Sequence, residues 1–531
     1  MRKIAFFLCL SLLLGLFAGC TGPDAYVPTG HGLSDQSVTD EDGDGQPDKP
    51  EKPTAPPNDE GFTLAYYEDE GFNPYTCASF QNRMVFSLLY QGLFSVDRDY
   101  RPVPILCKSY TVSADLRDHT FELEPATFSD GSPLTVDDVV ESLHAARDND
   151  YYRGRFDGIN AMYALSDGTL RIETDTAYEN LPLLLDVPIV KKDQLEAEMP
   201  LGTGPYSLAQ TPSGLTMKLR PDWWCEASLP LTRPSILLQP FQSPARIRDG
   251  FEFDSVGISI SDPGAASYAE YRCDYELWEA ETGIFLYLAS NKESSVFSHS
   301  AVRGALTFAV DRYELLEKSY HGFGAVATLP ASPGSPIYDR GLAGKVSFEP
   351  ERFREAVEDA GLSGEKIVLL VNKKDSVRLQ TARMIARTLT DCGLVVELLE
   401  EGGYRYGEKL KTDEWDLYLG QTKLSPNMDL TAFFAPYGNM SYGDMDDTAA
   451  YEMAQEALEN SGNFYNLHQL VLQDGQLVPI LFRTYAVYAR RGLAESLQPA
   501  RDNIFFYRLD KTLEDVTTQE LPEPEEEEEA E

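Results

Sequence analysis

The sequence predicts a chain of the α/β class, and three observations carry that expectation. From Pro350 onward, helical and strand patterns alternate as α-β-α-β, the rhythm of a parallel α/β layer. Residues 119–147, HTFELEPATFSDGSPLTVDDVVESLHAAR, read as a strand, a tight turn and an amphipathic helix in succession. The chain is also long and apolar enough to bury a sizeable core, with 531 residues, 42% hydrophobic and 11% aromatic. That length suits about three domains of roughly 150 residues each.

Taken in order, Phe62–Tyr67 is the first expected strand, and Arg83–Tyr90 a helix ending at Gly92. In the 119–147 stretch, Phe121 and Leu123 alternate with Thr120, Glu122 and Glu124, the period-2 pattern of a half-buried strand. Asp130-Gly131 supplies a turn. Thr135, with Asp138 three residues on, can cap a helix whose Val136, Val139, Val140 and Leu143 form one apolar face. Leu170–Thr174 and Thr282–Asn291 read as strands, and Val302, Leu306, Ala309, Val310 and Tyr313 share a helical face. Then come a helix over Glu351–Ala360, a strand over Lys366–Asn372, a helix over Val377–Cys392 and strands over Leu394–Leu398 and Trp415–Gly420. Helices over Thr448–Asn460 and Tyr465–Asp474 and a strand over Val478–Phe482 complete the pattern.

The ends differ in kind. Residues 1–20 combine Arg2-Lys3, an apolar run over Ile4–Phe17 and a small-residue ending at Cys20, which predicts a signal peptide rather than a membrane span. Residues 21–60 form a Pro-, Gly-, Asp- and Thr-rich linker with no apolar period. Within it Asp40, Asp42, Asp44, Asp48 and Glu51 match the spacing of a calcium loop, although Pro47 replaces an apolar residue and no helix flanks the set; a solvated acidic spacer is the other reading. Beyond that calcium, no cofactor is expected. Residues 516–531 are expected to be an acidic, disordered tail. A net charge of −41 argues against nucleic-acid partners and against binding anionic lipid through the protein surface. Once Cys9 and Cys20 are set aside, Cys77, Cys107, Cys225, Cys273 and Cys392 remain, with no CxxC; one disulfide or free buried thiols are both open. No HExxH, GxSxG or phosphate-loop motif appears, and the six histidines show no metal-ligand spacing, so an enzyme is not expected.

Thr120-Phe121-x-Leu123 followed by Phe128-Ser129-Asp130-Gly131-x-Pro133-Leu134-Thr135-x-x-Asp138-Val139 resembles the signature of the family 5 extracellular solute-binding proteins, receptors of peptide, nickel and related ABC importers. Gly202–Tyr206 and Val302–Arg312 are similar to two further family blocks. One departure is Glu124-Pro125, where the family has a basic residue soon after the strand leucine. The resemblance implies a two-lobed periplasmic-binding-protein-like fold with a hinge and an extra subdomain on lobe one. Lobe I would comprise residues 61–94, 178–287 and 484–515, the subdomain 95–177 and lobe II 288–483, with the hinge near Asn291. It also implies a ligand cleft lined by Ala78, Ser79, Phe80 and Gln81, by Tyr206, and by Gln421, Thr422, Lys423 and Asp429 of the loop that follows the Trp415–Gly420 strand. In peptide-binding relatives that loop carries a tryptophan and an early aspartate that takes the peptide amine. Here both are missing, and Asp429 is the acid left to substitute. The leader ending resembles a lipobox, which implies lipid on Cys20 and a monomer held at the outer or periplasmic face of the cell membrane. The implied partners are a peptide or other small solute and an importer's permease and ATPase; a sensing or adhesive lipoprotein on the same fold is the alternative.

Overall fold

The computed structural model describes residues 62–519, apart from residues 153, 226, 413 and 494–496. The chain divides into two units, Met1–Lys49 and Pro50–Glu531, and every described residue belongs to the second. The signal segment, Cys20, the linker to residue 60, the set Asp40, Asp42, Asp44, Asp48 and Glu51, and residues 520–531 lie outside the described residues.

β1 (Thr63–Tyr67) opens the largest sheet. The chain then builds a side sheet from β2 (Cys107–Val112), β3 (Asp118–Leu123), β4 (Ile159–Ala164) and β5 (Leu170–Thr174), with α1 (Val136–Arg147) between β3 and β4. It returns to the large sheet through β6 (Tyr206–Thr211), β7 (Gly214–Leu219), β8 (Ser235–Phe241) and β9 (Ile258–Ser261). β10 (Glu276–Ser290) carries it into a second half built on β11 (Lys366–Asn372), β12 (Val395–Glu401) and β13 (Leu417–Lys423). β14 (Leu477–Ala489) brings it back. The strand order is β12-β11-β13-β10-β14-β9-β1-β8-β7-β6.

Two lobes therefore share one sheet, and β10 and β14 are the strands that belong to both. Their sequences say why. Leu477–Ala489, LVPILFRTYAVYA, is buried almost throughout, as a strand covered on both faces must be. Pro479 cannot donate to a ladder, and it sits at a register shift opposite Tyr287. A second and larger shift lies between Glu281 and Phe285: Glu281 pairs with Thr484, but Phe285 pairs with Phe482. Gly283, inside that bulge, has φ +68°, and a Cβ there would meet the Arg501 guanidinium at 2.4 Å. A side chain has no room, so glycine is required.

α1 forms as its sequence predicts. Thr135 caps it, its Oγ1 accepting from the Asp138 N–H at 3.4 Å while the Thr135 N–H donates to the Asp138 carboxylate at 2.9 Å. Val136, Val139 and Leu143 are buried, and Val140 is half-buried.

Several expectations need correction. The second lobe is parallel across β12, β11 and β13, but β13 pairs antiparallel with β10, because the two long strands run in opposite directions between the lobes. Arg83–Tyr90 is not one helix but two short turns, Phe80–Arg83 and Phe86–Leu89. The helix starting at Ser300 tightens over Leu306–Ala309, and Asp311 caps a new one, Arg312–Tyr320. Tyr313 consequently faces out, while Val302, Leu306, Ala309 and Val310 are buried. The tail cannot start at residue 516 either. Val516 is buried, and β15 (Thr517–Gln519) adds to β2 in parallel, giving the side sheet the order β15-β2-β3-β5-β4. All five described cysteines are free thiols. Among the described residues, no helix is long and apolar enough to cross a membrane.

Candidate functional site

The bend between the lobes places three chain segments around one space. The loop after β1 delivers Ala78 and Phe80; the end of β13 delivers Gln421, Thr422 and Lys423; and the segment after β14 delivers Asp502. With Arg83, Tyr151, Thr282, Ile284 and Tyr485 they line a cavity of about 260 Å³. Thr282 and Ile284 flank the glycine of the bulge, so the cavity floor is the bend itself.

Its polar side is a charge pair. Lys423 Nζ lies 2.6 Å from Asp502 and 2.8 Å from the Tyr151 hydroxyl, 4.2 Å from that ring's centre. Burial alone would raise the Asp502 carboxyl, but the Lys423 ammonium and the Arg501 guanidinium outweigh it and hold it below the usual carboxylate range. Arg83 stacks over the same Tyr151 ring, its guanidinium carbon 3.6 Å from the ring centre, and donates to the carbonyls of Pro74 and Cys77 and to the Tyr152 hydroxyl, so it holds the wall in place. The apolar side is Phe80 against Tyr485, ring centres 4.1 Å apart. Beyond that pair Ser79, Gln81, Asp262 and Tyr268 help line a neighbouring space of about 200 Å³. Arg483 stands between the lobes, donating to both Asp262 oxygens at 2.6 and 2.8 Å and to the Gln421 side-chain oxygen at 3.0 Å.

Five of the residues named from sequence thus come together: Ala78, Phe80, Gln421, Thr422 and Lys423. Ser79 and Gln81 face the neighbouring space, and the Gln81 amide is spent on the Ala65 carbonyl at 2.9 Å. Tyr206 stands apart. It is 1% exposed on β6, its hydroxyl donating to the Leu231 and Arg233 carbonyls, and it is a core residue of the first lobe. Asp429 does not reach the cavity either. It accepts from the Thr431 N–H at 2.7 Å, and burial raises its pKa. Its loop instead crosses to the first lobe, where Asn427 donates to the Tyr178 hydroxyl at 2.6 Å. Asn291 lies past the end of β10, its amide on the Trp415 carbonyl, whereas the strand pairing changes at Glu281–Phe285.

The acid of the cavity, Asp502, comes from the 484–515 segment, which the sequence assigns to lobe I without naming any site residue in it. The signals for the missed residues are modest: Arg483 is a lone charge inside an apolar run, and Tyr151-Tyr152 is an aromatic pair separated from the end of α1 by three residues.

Comparison with known proteins bears on the fold and the family. Protein XP55 of Streptomyces lividans is 27% identical over 272 residues, covering 48% of this chain and 49% of its own length. The match thus spans about half of that relative. The glutathione-binding protein GsiB of Shigella flexneri is 24% identical over 355 residues, covering 63% of this chain and 68% of its own. The solved structure of CtaP, an ABC transporter substrate-binding protein of Listeria monocytogenes, superposes with a TM-score of 0.68 at 15% identity, covering 85% of this chain and 99% of that one. Such a likeness shows the shared two-lobed fold. Residues 101–444 match the model of the bacterial extracellular solute-binding proteins, family 5 (middle), and the chain belongs to that family of binding proteins.

Proposed function

We propose that the protein is a lipid-anchored receptor that captures a small zwitterionic solute of the peptide class between its lobes and hands it to an ABC importer. One observation carries this reading: the first lobe, the bend and the second lobe all contribute to a single cavity with Lys423 and Asp502 facing each other across 2.6 Å. A solute with a carboxylate and an ammonium exchanges that one ion pair for two, carboxylate to Lys423 and ammonium to Asp502. The Phe80–Tyr485 pair supplies the apolar surface that small-ligand sites use beside a few placed polar groups. Opening and closing about the Glu281–Phe285 bulge exposes and then desolvates these groups, and a permease distinguishes the closed form. No covalent step is required. The glutathione named for GsiB and the transporter named for CtaP support the cargo class and the partner.

Calorimetry with dipeptides and tripeptides tests the reading. Saturable binding without cleavage of the peptide supports it; heat of binding from none of them, or turnover of any, counts against it. Anchoring through Cys20 is checked separately: Cys20→Ala should release the protein from membranes into the medium or periplasm. Calcium binding by the Asp40–Glu51 stretch is tested by calorimetry on a residue 21–60 peptide, where no heat at millimolar calcium would end that idea.

A further inference from the structure

Arg83, Tyr151 and Asp502 wall a second cavity of about 100 Å³ as well as the cleft. Its further polar lining includes Arg155, Asp186, Arg501 and Asn503. The three arginines are not equivalent. Arg83 gives both terminal nitrogens to carbonyls and the Tyr152 hydroxyl, and Arg155 is ion-paired with Asp186. Arg501, only 3% exposed, gives one nitrogen to the Leu424 carbonyl, while its Nε and Nη1 are buried without a partner. Two residues on, the Asn503 side-chain oxygen is also buried and unpartnered, and that amide can turn to present its NH₂.

A guanidinium taken out of water with idle donors is costly unless an anion meets it. Asp502 and Glu281 lie close enough to Arg501 to feel its charge, but the bonds of the neighbouring carboxylates go elsewhere, one oxygen each: Asp186 to Arg155, Asp502 to Lys423, and Glu281 to the Tyr100 and Ser332 hydroxyls. Across the two cavities Arg83, Arg155, Lys423 and Arg501 face Asp186 and Asp502, with Glu281 also near Arg501, which leaves a local excess of positive charge in a chain whose net charge is −41.

We infer that the cleft continues behind Tyr151 into an anion subsite centred on Arg501, and that the captured solute carries an additional carboxylate or phosphate that seats there. This rests on the capture of a zwitterion proposed above. Arg501 donates to the anion, and the ligand's acidic side group, rather than its terminus, confers selectivity.

The test uses the full chain and matched dipeptide pairs: glycyl-glutamate against glycyl-glutamine, glutamyl-glycine against glutaminyl-glycine, and glycyl-phosphoserine against glycyl-serine. The expected result is an acidic member binding about tenfold more tightly than its neutral partner, the scale of a charge-assisted hydrogen bond. In Arg501→Gln that ratio should fall to about one. Asn503→Ala, which leaves Arg501 beneath Gly283, should reduce it in part. Which pair shows the preference separates carboxylate from phosphate. Equal affinities within every pair in the unaltered protein overturn the subsite and leave the capture reading standing. Binding of no member of any pair overturns both. A preference that survives in Arg501→Gln places the selectivity elsewhere and also sinks the subsite.

Discussion

Lys423 and Asp502 meet across the bend with side chains 25% and 15% exposed, so each screens a charge the other would otherwise leave nearly bare. Removing the lysine should destabilise the fold by about 1–2 kcal/mol at pH 7, below the full cost of breaking a buried pair because both ends touch solvent. Lys423→Met should therefore lower the melting temperature, and Lys423→Met with Asp502→Asn should recover part of the loss, a coupling that a double-mutant cycle reads directly. Because the Asp502 carboxyl is held below its unfolded value, the pair's contribution is complete above about pH 4 and disappears as pH falls through the lower folded value. Two histidines act at milder acidity. His119 accepts from the Tyr110 hydroxyl at Nδ1 and donates from Nε2 to the Leu116 carbonyl, and burial pushes its pKa down to about 4. His468 is fully buried with neither ring nitrogen partnered, and burial takes it to about 4 as well. An unfolded histidine titrates near 6.5, so both favour the folded state fully above that pH and lose this contribution progressively down to about 4. Melting temperature should fall across that window, and His468→Leu should flatten the fall while raising stability at pH 5 more than at pH 8.

At the scale of elements, the 119–147 unit and the bend carry different burdens. α1 is closed by a capping box in the side-sheet subdomain, away from the cavity lining. Thr135→Ala should cost about 1 kcal/mol of stability and leave solute affinity unchanged, measured by denaturation and calorimetry on the same preparation. Gly283→Ala should behave otherwise. Its positive φ and the Arg501 guanidinium at 2.4 Å from the new Cβ strain the bulge itself, so stability and affinity should fall together. Much of this was legible in the sequence. Lys366–Asn372 and Leu170–Thr174 are strands with the expected bounds, since a short apolar run between turn residues has few alternatives. The sequence pattern marks the long strands shorter than they are, because Arg483 in one and Glu279 with Glu281 in the other break the apolar pattern where the lobes meet. The same interruption hid the site. Phe80 and Lys423 were found through their loops, but Asp502 is made relevant only by a fold that brings residues 421–423 and 501–503 together.

For the whole molecule, one continuous sheet with a bulge at Glu281–Phe285 joins the lobes, so any change in their relative orientation would have to bend two strands. The lobes also touch away from the cavity: the Glu179 N–H donates to the Leu458 carbonyl at 3.0 Å and its carboxylate accepts from the Ser461 N–H at 2.7 Å. Solute binding that draws the lobes together should protect the amides beside these contacts, and beside Asn427 on Tyr178, from hydrogen exchange. The proposed receptor role requires that the solute sit in this cavity. Native mass spectrometry of the purified chain beside Thr422→Trp, whose indole fills the space bounded by Phe80, Lys423 and Tyr485, tests it most directly. A single small solute should be retained by the unaltered protein, released on denaturation and missing from the variant. Equal retention by a folded Thr422→Trp protein would contradict it.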